Sequence, residues 1–330
     1  MKETPVSSEP IPIIRRPRRV AGSGGSSTAA LIMLGLAAKE LRERAGLTQT
    51  ALAKAIHVSN STICRLEAAR AENPPERRTV EAVLGHLRAS PEKRAEMLSL
   101  LSRALEPEWY QHRYSDCTPD HLRRLLGLES MAISLTTYEA RLVPGLLQSP
   151  GYTRCVVLTG LHLREWDSPE VESRLAQRRE RQARVLGQDD PPRCVFLMDE
   201  SVLYRRVGAD EVMREQMEHL RELAAHPHIT LRFVLLDRMI AGNAGTMAGS
   251  MTHLVFGRGS LPDLVYVEGY EKADYHSKPA RSAEERARPW PVKENEFERH
   301  LQLLLRLQGE ACASPAKSRL MLDDAVRRYT

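Results

Sequence analysis

No apolar run in this chain approaches the ~18–20 residues that span a bilayer, which excludes a protein anchored by membrane-crossing helices. The five cysteines, Cys64, Cys117, Cys155, Cys194 and Cys312, lie far apart with no C-x-x-C pair. That spacing excludes a disulfide framework or a cysteine zinc site and predicts reduced, cytoplasmic thiols. The first thirty residues hold no signal-peptide core, because a Pro-, Ser- and Arg-containing stretch precedes only a weakly apolar one. There is no nucleophile elbow, no phosphate-cradling glycine loop and no metal-type histidine spacing, so no enzyme class, metal or cofactor is expected. Lysine is scarce, with eight among 48 basic residues. Arginine dominance suits bidentate phosphate contacts, although a GC-rich genome produces the same bias.

What is present is enough for two folded units, since 330 residues at 42% hydrophobic content can bury real cores. The charge is unevenly spread. Residues 1–33 carry net +3, residues 34–105 net +4, and the remainder net −2, within a total of +5. The first third therefore suits a polyanion, and the rest does something else.

Residues 1–29 read as a disordered basic arm around Arg15-Arg16-Pro17-Arg18-Arg19. From Leu34 a helical period begins, with Leu34, Ala37, Ala38 and Leu41 on one stripe and Gly46 as the stop. Thr48 and Ser59 are capping residues for two short helices that turn Leu52, Ala53, Ile63 and Leu66 inward. After a proline-marked loop at 71–76, a fourth helix carries Val80, Val83, Leu84 and Leu87, and a fifth starts at Pro91. Five helices over 30–105 make an all-α domain. Residues 106–308 read as α+β: one long helix from Pro119 to about Tyr138, then a charged helix over 170–186. Strands follow at 194–198, 229–235, 251–256 and 264–267, with a helix at 213–225 among them and a late helix at 297–307. Residues 309–330 read as a tail, with a short final helix over Lys317 to Tyr329.

The three-residue turn His57-Val58-Ser59 sets two helices at a steep angle. Around it, Arg42-Glu43-Arg44-Ala45-Gly46-Leu47-Thr48-Gln49, Leu52-Ala53, Val58-Ser59 and Ile63-Cys64-Arg65-Leu66-Glu67 closely resemble the XRE-type, or Cro/lambda-repressor-like, helix-turn-helix domain. The resemblance implies a recognition helix in the major groove, with Asn60, Ser61 and Arg65 reading base edges and Gln49 and Thr62 on phosphates. It also implies a structural ion pair between Arg42 and Glu67. His57 stands where that family has glycine, at a left-handed turn. A strain-tolerant turn residue is the expectation there, ahead of a pH sensor. For Cys64 an ordinary surface thiol is expected rather than a redox switch.

In the second domain, Val143-Pro144-Gly145-Leu146-Leu147-Gln148 with Gly151-Tyr152 is similar to a signature in the C-terminal domain of actinobacterial XRE-type regulators. So are Arg178-Arg179-Glu180-Arg181-Gln182, Met198-Asp199-Glu200 with Leu203, and Pro262-Asp263-Leu264-Val265-Tyr266-Val267-Glu268. The resemblance implies a module that senses a ligand or binds a partner. An antitoxin-like protein that neutralises a small partner encoded nearby is the alternative. Gln148, Tyr152, Glu200, Tyr266 and Glu268 are the candidate regulatory pocket, with Trp166 and Trp290 as further aromatics. Asp199, Glu200 and Glu268 near Arg178 or Arg181 could also be an acid–base set, but no complete catalytic site emerges and an enzyme is not expected. The expectation is a cytoplasmic transcriptional regulator that binds double-stranded DNA as a homodimer.

Overall fold

The computed structural model describes residues 26–69, 74–161, 168–238, 249–257, 261–269, 272–278 and 295–329. The basic arm at Arg15–Arg19, residues 71–73 of the proline-marked loop, Trp166, Trp290 and most of the 239–250 loop lie outside them. Among the described residues no helix is long and apolar enough to cross a membrane. The chain divides into two units, Gly22–Met131 with Phe256–Leu261, and Ala132–Val255 with Pro262–Thr330.

The first unit is helical: α1 (Ser27–Arg44), α2 (Gln49–Ala55), α3 (Asn60–Ala68), α4 (Arg77–His86), α5 (Pro91–Ala104), α6 (Gln111–Tyr114) and α7 (Asp120–Glu129). Side-chain oxygens of Thr48, Ser59 and Ser90 accept from the third residue on, at 3.1–3.2 Å, and so satisfy amides that have no partner within their helices. Leu34, Leu52, Ile63, Leu66, Val83 and Met97 are buried together in the core. Gly35 lets α1 and α3 touch along their backbones: a Cβ there would stand 2.6 Å from the Leu66 carbonyl oxygen.

The expected five-helix domain ending at 105 is too short, because α6 and α7 fall in the same unit. The reason is Glu108. Its buried Oε1 accepts from the Ser26 hydroxyl at 2.5 Å and the Thr28 N–H at 2.8 Å, placing a carboxylate on the N-terminus of α1.

The second unit is built on a six-stranded sheet in the order β3-β2-β1-β4-β5-β6. The strands are β1 (Ser134–Glu139), β2 (Arg193–Asp199), β3 (Ile229–Val234), β4 (Met251–Val255), β5 (Leu264–Glu268) and β6 (Ala273–Ser277). Pairings among β1, β2 and β3 are parallel, and those from β1 through β4 and β5 to β6 are antiparallel. Helices α8 (Pro150–Leu161), α9 (Pro169–Leu186), α10 (Asp210–Leu223), α11 (Glu296–Arg306) and α12 (Pro315–Arg328) complete the unit. One sheet face buries Tyr138, Leu197 and Val265 against Phe297 and Leu304 of α11.

Two expectations are corrected here. The single helix from Pro119 to Tyr138 is a helix to Glu129 followed by β1. A strand with partners on both sides has its hydrogen bonds met in the sheet, and the β-branched Thr136 and Thr137 suit that pleat. The tail at 309–330 is an integral part of the unit. Residues 311–313 run antiparallel beside edge strand β3, with Ala313 N–H on Phe233 O at 2.8 Å and Leu235 N–H on Ala311 O at 3.0 Å. Arg232 Nε bonds Ala313 O at 2.8 Å, and α12 buries Leu322 and Ala325. An edge that would otherwise invite foreign strands is thereby covered.

Gly35→Ala should lower the stability of the helical unit by about 1–3 kcal/mol, since the Leu66 carbonyl cannot yield without moving α3. Denaturant unfolding of the full chain checks it, and an unchanged midpoint would contradict the close approach.

Candidate functional site

The helix-turn-helix is held by one polar network. Arg42 binds Glu67 through two bonds, Nε to Oε1 at 2.5 Å and Nη2 to Oε2 at 2.8 Å, and its Nη1 reaches Leu47 O at 2.7 Å. Their side chains are only 9% and 4% exposed. The bond to Glu67 raises the Arg42 pKa against desolvation. Burial pushes the Glu67 carboxyl up, but the hydrogen bonds from Arg42 and Gln49 together take it below its ordinary value. Gln49, expected on a phosphate, donates its amide to Glu67 Oε2 at 2.8 Å and so ties the start of α2 to the same pair.

With Ile63 and Leu66 buried, α3 turns Asn60, Ser61, Cys64 and Arg65 to the surface. Asn60 Oδ1 accepts from Thr50 Oγ1 at 3.3 Å, while Ser61 and Thr62 share their hydroxyls with Ser59 at 2.7 and 2.8 Å. No hydrogen bond or ion pair within the described residues engages the Arg65 guanidinium. His57 adopts φ +57°, the left-handed conformation that the turn requires, and Val58 N–H closes on Ala53 O at 3.0 Å. Beside the turn lies a cleft of about 750 Å³, bordered by His57, Ser59, Thr62 and Arg65 on one side and by Pro74 and Arg78 on the other.

In the sheet unit, the sequence blocks that are far apart meet. Arg178 on α9 donates Nη1 to Gln148 Oε1 at 2.6 Å, and Gln148 Nε2 returns to Val143 O at 2.7 Å. Gln182 Nε2 holds Gly145 O and Gln148 O at 3.1 and 2.9 Å, and Gln216 of α10 holds Leu147 O at 2.9 Å. A Cβ on Gly145 would press on the guanidinium ends of Arg178 and Arg181, each 3.2 Å away, so these two side chains close tightly over the loop. The 143–148 loop is therefore clasped by the 178–182 block.

Beside this clasp the pleat gathers charge. Register places Glu139, Ser250 and Glu268 in a row across β1, β4 and β5, with Ser250 Oγ on Glu139 Oε2 at 2.5 Å and Glu268 N–H on Ser250 O at 2.8 Å. Burial, above all, raises the Glu139 carboxyl to about 7; the Ser250 hydroxyl opposes this, Glu268 adds to it, and Arg181 and Arg178 pull it back. Burial and then Arg181 lower Arg178 to about 10.

Of the five candidate pocket residues, Gln148 and Glu268 belong to this neighbourhood. Tyr152 is buried, and its hydroxyl accepts from Val143 N–H at 3.3 Å, so it props the loop. Tyr266 is buried against Tyr275. Glu200 is not brought in: its carboxylate takes Leu236 N–H at 3.1 Å and the Tyr204 hydroxyl at 3.4 Å. Nor does Asp199 join the acid–base set, because it lies one residue out of step and caps the following turn through Ser201 N–H at 2.9 Å. Glu139, Gln216 and Ser250 are the additions. Glu139 was concealed by the long-helix reading, and only the register of β4 would have pointed to Ser250.

A carboxyl with a raised folded pKa stabilises the fold fully below its unfolded value, and that contribution is lost as pH rises through the folded value. Relative to Glu139→Gln, the thermal midpoint of the wild-type chain should therefore fall between about pH 5 and about pH 7. The buried His219, lowered to about 4 and acting in the opposite direction, has no bearing on that difference, because both proteins carry it. An identical slope in both proteins, measured by circular dichroism, would show that Glu139 is not the group.

Two family descriptions match the chain. A helix-turn-helix domain covers residues 33–97, and a domain of unknown function (DUF5753) covers residues 122–288. No curated protein and no solved structure gives a match. The second description spans half of the chain and takes in both the clasped loop and the row of Glu139, Ser250 and Glu268, so this protein belongs to the DUF5753 family and carries its helix-turn-helix domain ahead of that region.

Proposed function

We propose that this protein is a cytoplasmic, sequence-specific transcriptional regulator of the XRE type, with α3 in the major groove of DNA. The observation that carries the reading is the outward face of α3: Asn60, Ser61 and Arg65 are exposed on a helix pinned from behind by Arg42, Glu67 and Gln49. Asn pairs with adenine N6/N7 and Arg with guanine O6/N7, and a good bidentate pair discriminates by about 1–3 kcal/mol. The sheet unit is the module that senses a ligand or partner. It is not an enzyme in this reading, since the Arg178 guanidinium and the Glu139 carboxyl are held by Gln148 and Ser250 rather than aimed at a substrate.

Genome-wide footprinting of the tagged protein identifies the operator, and binding assays on it test the residues. Arg65→Ala should weaken cognate over random sequence by roughly tenfold or more, whereas Gln49→Ala should weaken both about equally, through the helix that it anchors. Equal loss from both would remove the base-reading role of Arg65.

One short recognition helix makes too few contacts for tight specificity, so the active species is a homodimer on half-sites about one helical turn apart. Size-exclusion with light scattering should show a dimer at micromolar concentration. A monomer there, and a single footprinted half-site, would contradict it.

A further inference from the structure

The sequence shows no metal-type histidine spacing, yet the topology of the sheet unit brings two histidines and a glutamate together at its outer edge. His276 lies on edge strand β6 and pairs in register with Val265. Val265 faces α11 in the core, so His276 faces α11 too. There it meets His300, with ring centroids 4.9 Å apart and planes 11° from parallel. Glu296 stands one turn before His300 on the same helix. Ligand atoms of His276, Glu296 and His300 all lie within 4.8 Å of one another.

The hydrogen bonding of His300 bears on which of its ring nitrogens can coordinate. Its Nδ1 is 2.6 Å from the backbone oxygen of Glu296. A carbonyl can only accept, so in the neutral ring Nδ1 carries the proton and Nε2 the lone pair. A ring nitrogen that donates to a carbonyl while the other is left to coordinate is the usual support for a metal-bound imidazole.

We infer that His276, Glu296 and His300 form a binding site for a borderline divalent cation of the zinc class. Two imidazoles and one carboxylate with room for water match the donor set of three-ligand zinc sites, whereas calcium and magnesium prefer all-oxygen shells. Tetrahedral bonds of about 2.1 Å place ligand atoms roughly 3.4 Å apart, so the side chains must draw in. One of the two stacked rings must also turn so that both lone pairs reach the same ion, with Nε2 of His300 in place of the Nδ1 that now lies 4.0 Å from Glu296 Oε2. Glu296 is free enough to draw in. It is half exposed, and its present partner Arg299 is an exposed neighbour on the same helix. Such surface pairs hold weakly and yield readily to a cation. The bound ion joins an edge strand to α11 across the chain that runs between them, and closing a loop of that kind favours the folded state.

The test uses the untagged full chain with Co²⁺ as the spectroscopic probe. One equivalent should give the visible d–d absorption of a four-coordinate site, and Zn²⁺ should abolish it by displacement. His276→Ala and His300→Ala should each weaken binding at least tenfold, and Cys64→Ser should leave it unchanged. Zn²⁺ should also raise the thermal midpoint of the wild-type chain, a measurement that needs no variant. Absence of the absorption, its survival in both histidine variants, or no Zn²⁺-dependent shift in the wild type would each overturn the site. DNA binding is read separately, so failure here leaves the recognition-helix reading untouched.

Discussion

The desolvated pairing of Arg42 with Glu67 is the constraint on which the recognition face depends. Each ion alone in that setting would cost several kcal/mol, and together they break even only when the geometry is good and every remaining donor finds a partner. The geometry is good and each guanidinium nitrogen is engaged: the pair is bidentate, Leu47 O takes a further guanidinium N–H, and Gln49 donates to the carboxylate. Such a network has little freedom to slide. It fixes α3 relative to α1, brings in the start of α2, and relies on Gly35 to let α1 and α3 approach closely. The exposed residues of α3 are positioned from behind by groups that themselves never need to touch DNA.

The sheet unit handles a buried guanidinium in another way. Arg178 is satisfied by the amide oxygen of Gln148, and the carboxylates of Glu139 and Glu268 lie close enough to act on its pKa. Which carboxylates do so follows from the two-residue period of the pleat. Glu139, Ser250 and Glu268 share one face. Asp199, at the end of the neighbouring strand, is displaced by one residue and shares the other face with Tyr138, whose hydroxyl it helps to raise to about 12, after burial. A carboxylate at a strand end is thus assigned to a site by parity as much as by proximity.

That dependence on register separates what was legible in the sequence from what was not. The caps at Thr48 and Ser59, the helix start at Pro91, the left-handed turn at His57 and the helical stripes in the first hundred residues are local, and local patterns carry them. The second domain is governed by non-local pairing. Its strands at Cys194, Ile229, Met251 and Leu264 stand out as apolar runs, but β1 has alternating polar residues and borrows its identity from β2 and β4 on either side. Missing β1 concealed Glu139, and with it the partner of Ser250. Likewise β6, with Asp274 and His276 in a short polar edge strand, has no hydrophobic signature of its own. The signature blocks were visible as blocks. That Val143–Gln148 is clasped by Gln182 and Arg178 is a tertiary fact that no spacing rule contains.

The charge of the first 105 residues bears on DNA binding in a way that individual ion pairs obscure. Several of their basic side chains are matched on the surface: Arg44 with Glu40, Arg77 with Glu81, Lys93 with Glu96. Exposed pairs of this kind contribute about 0–1 kcal/mol, so a phosphate can replace the carboxylate at little cost. What draws a polyanion is the net excess over residues 1–105, which is +7 while the rest of the chain is −2. Steering therefore needs no unmatched lysine row, and it says nothing about sequence. Reading a base does need a donor that is not already committed. Arg65, exposed on α3 with Asn60 and Ser61 a turn before it, meets that requirement, whereas Arg42, buried and bonded through all three guanidinium nitrogens, cannot.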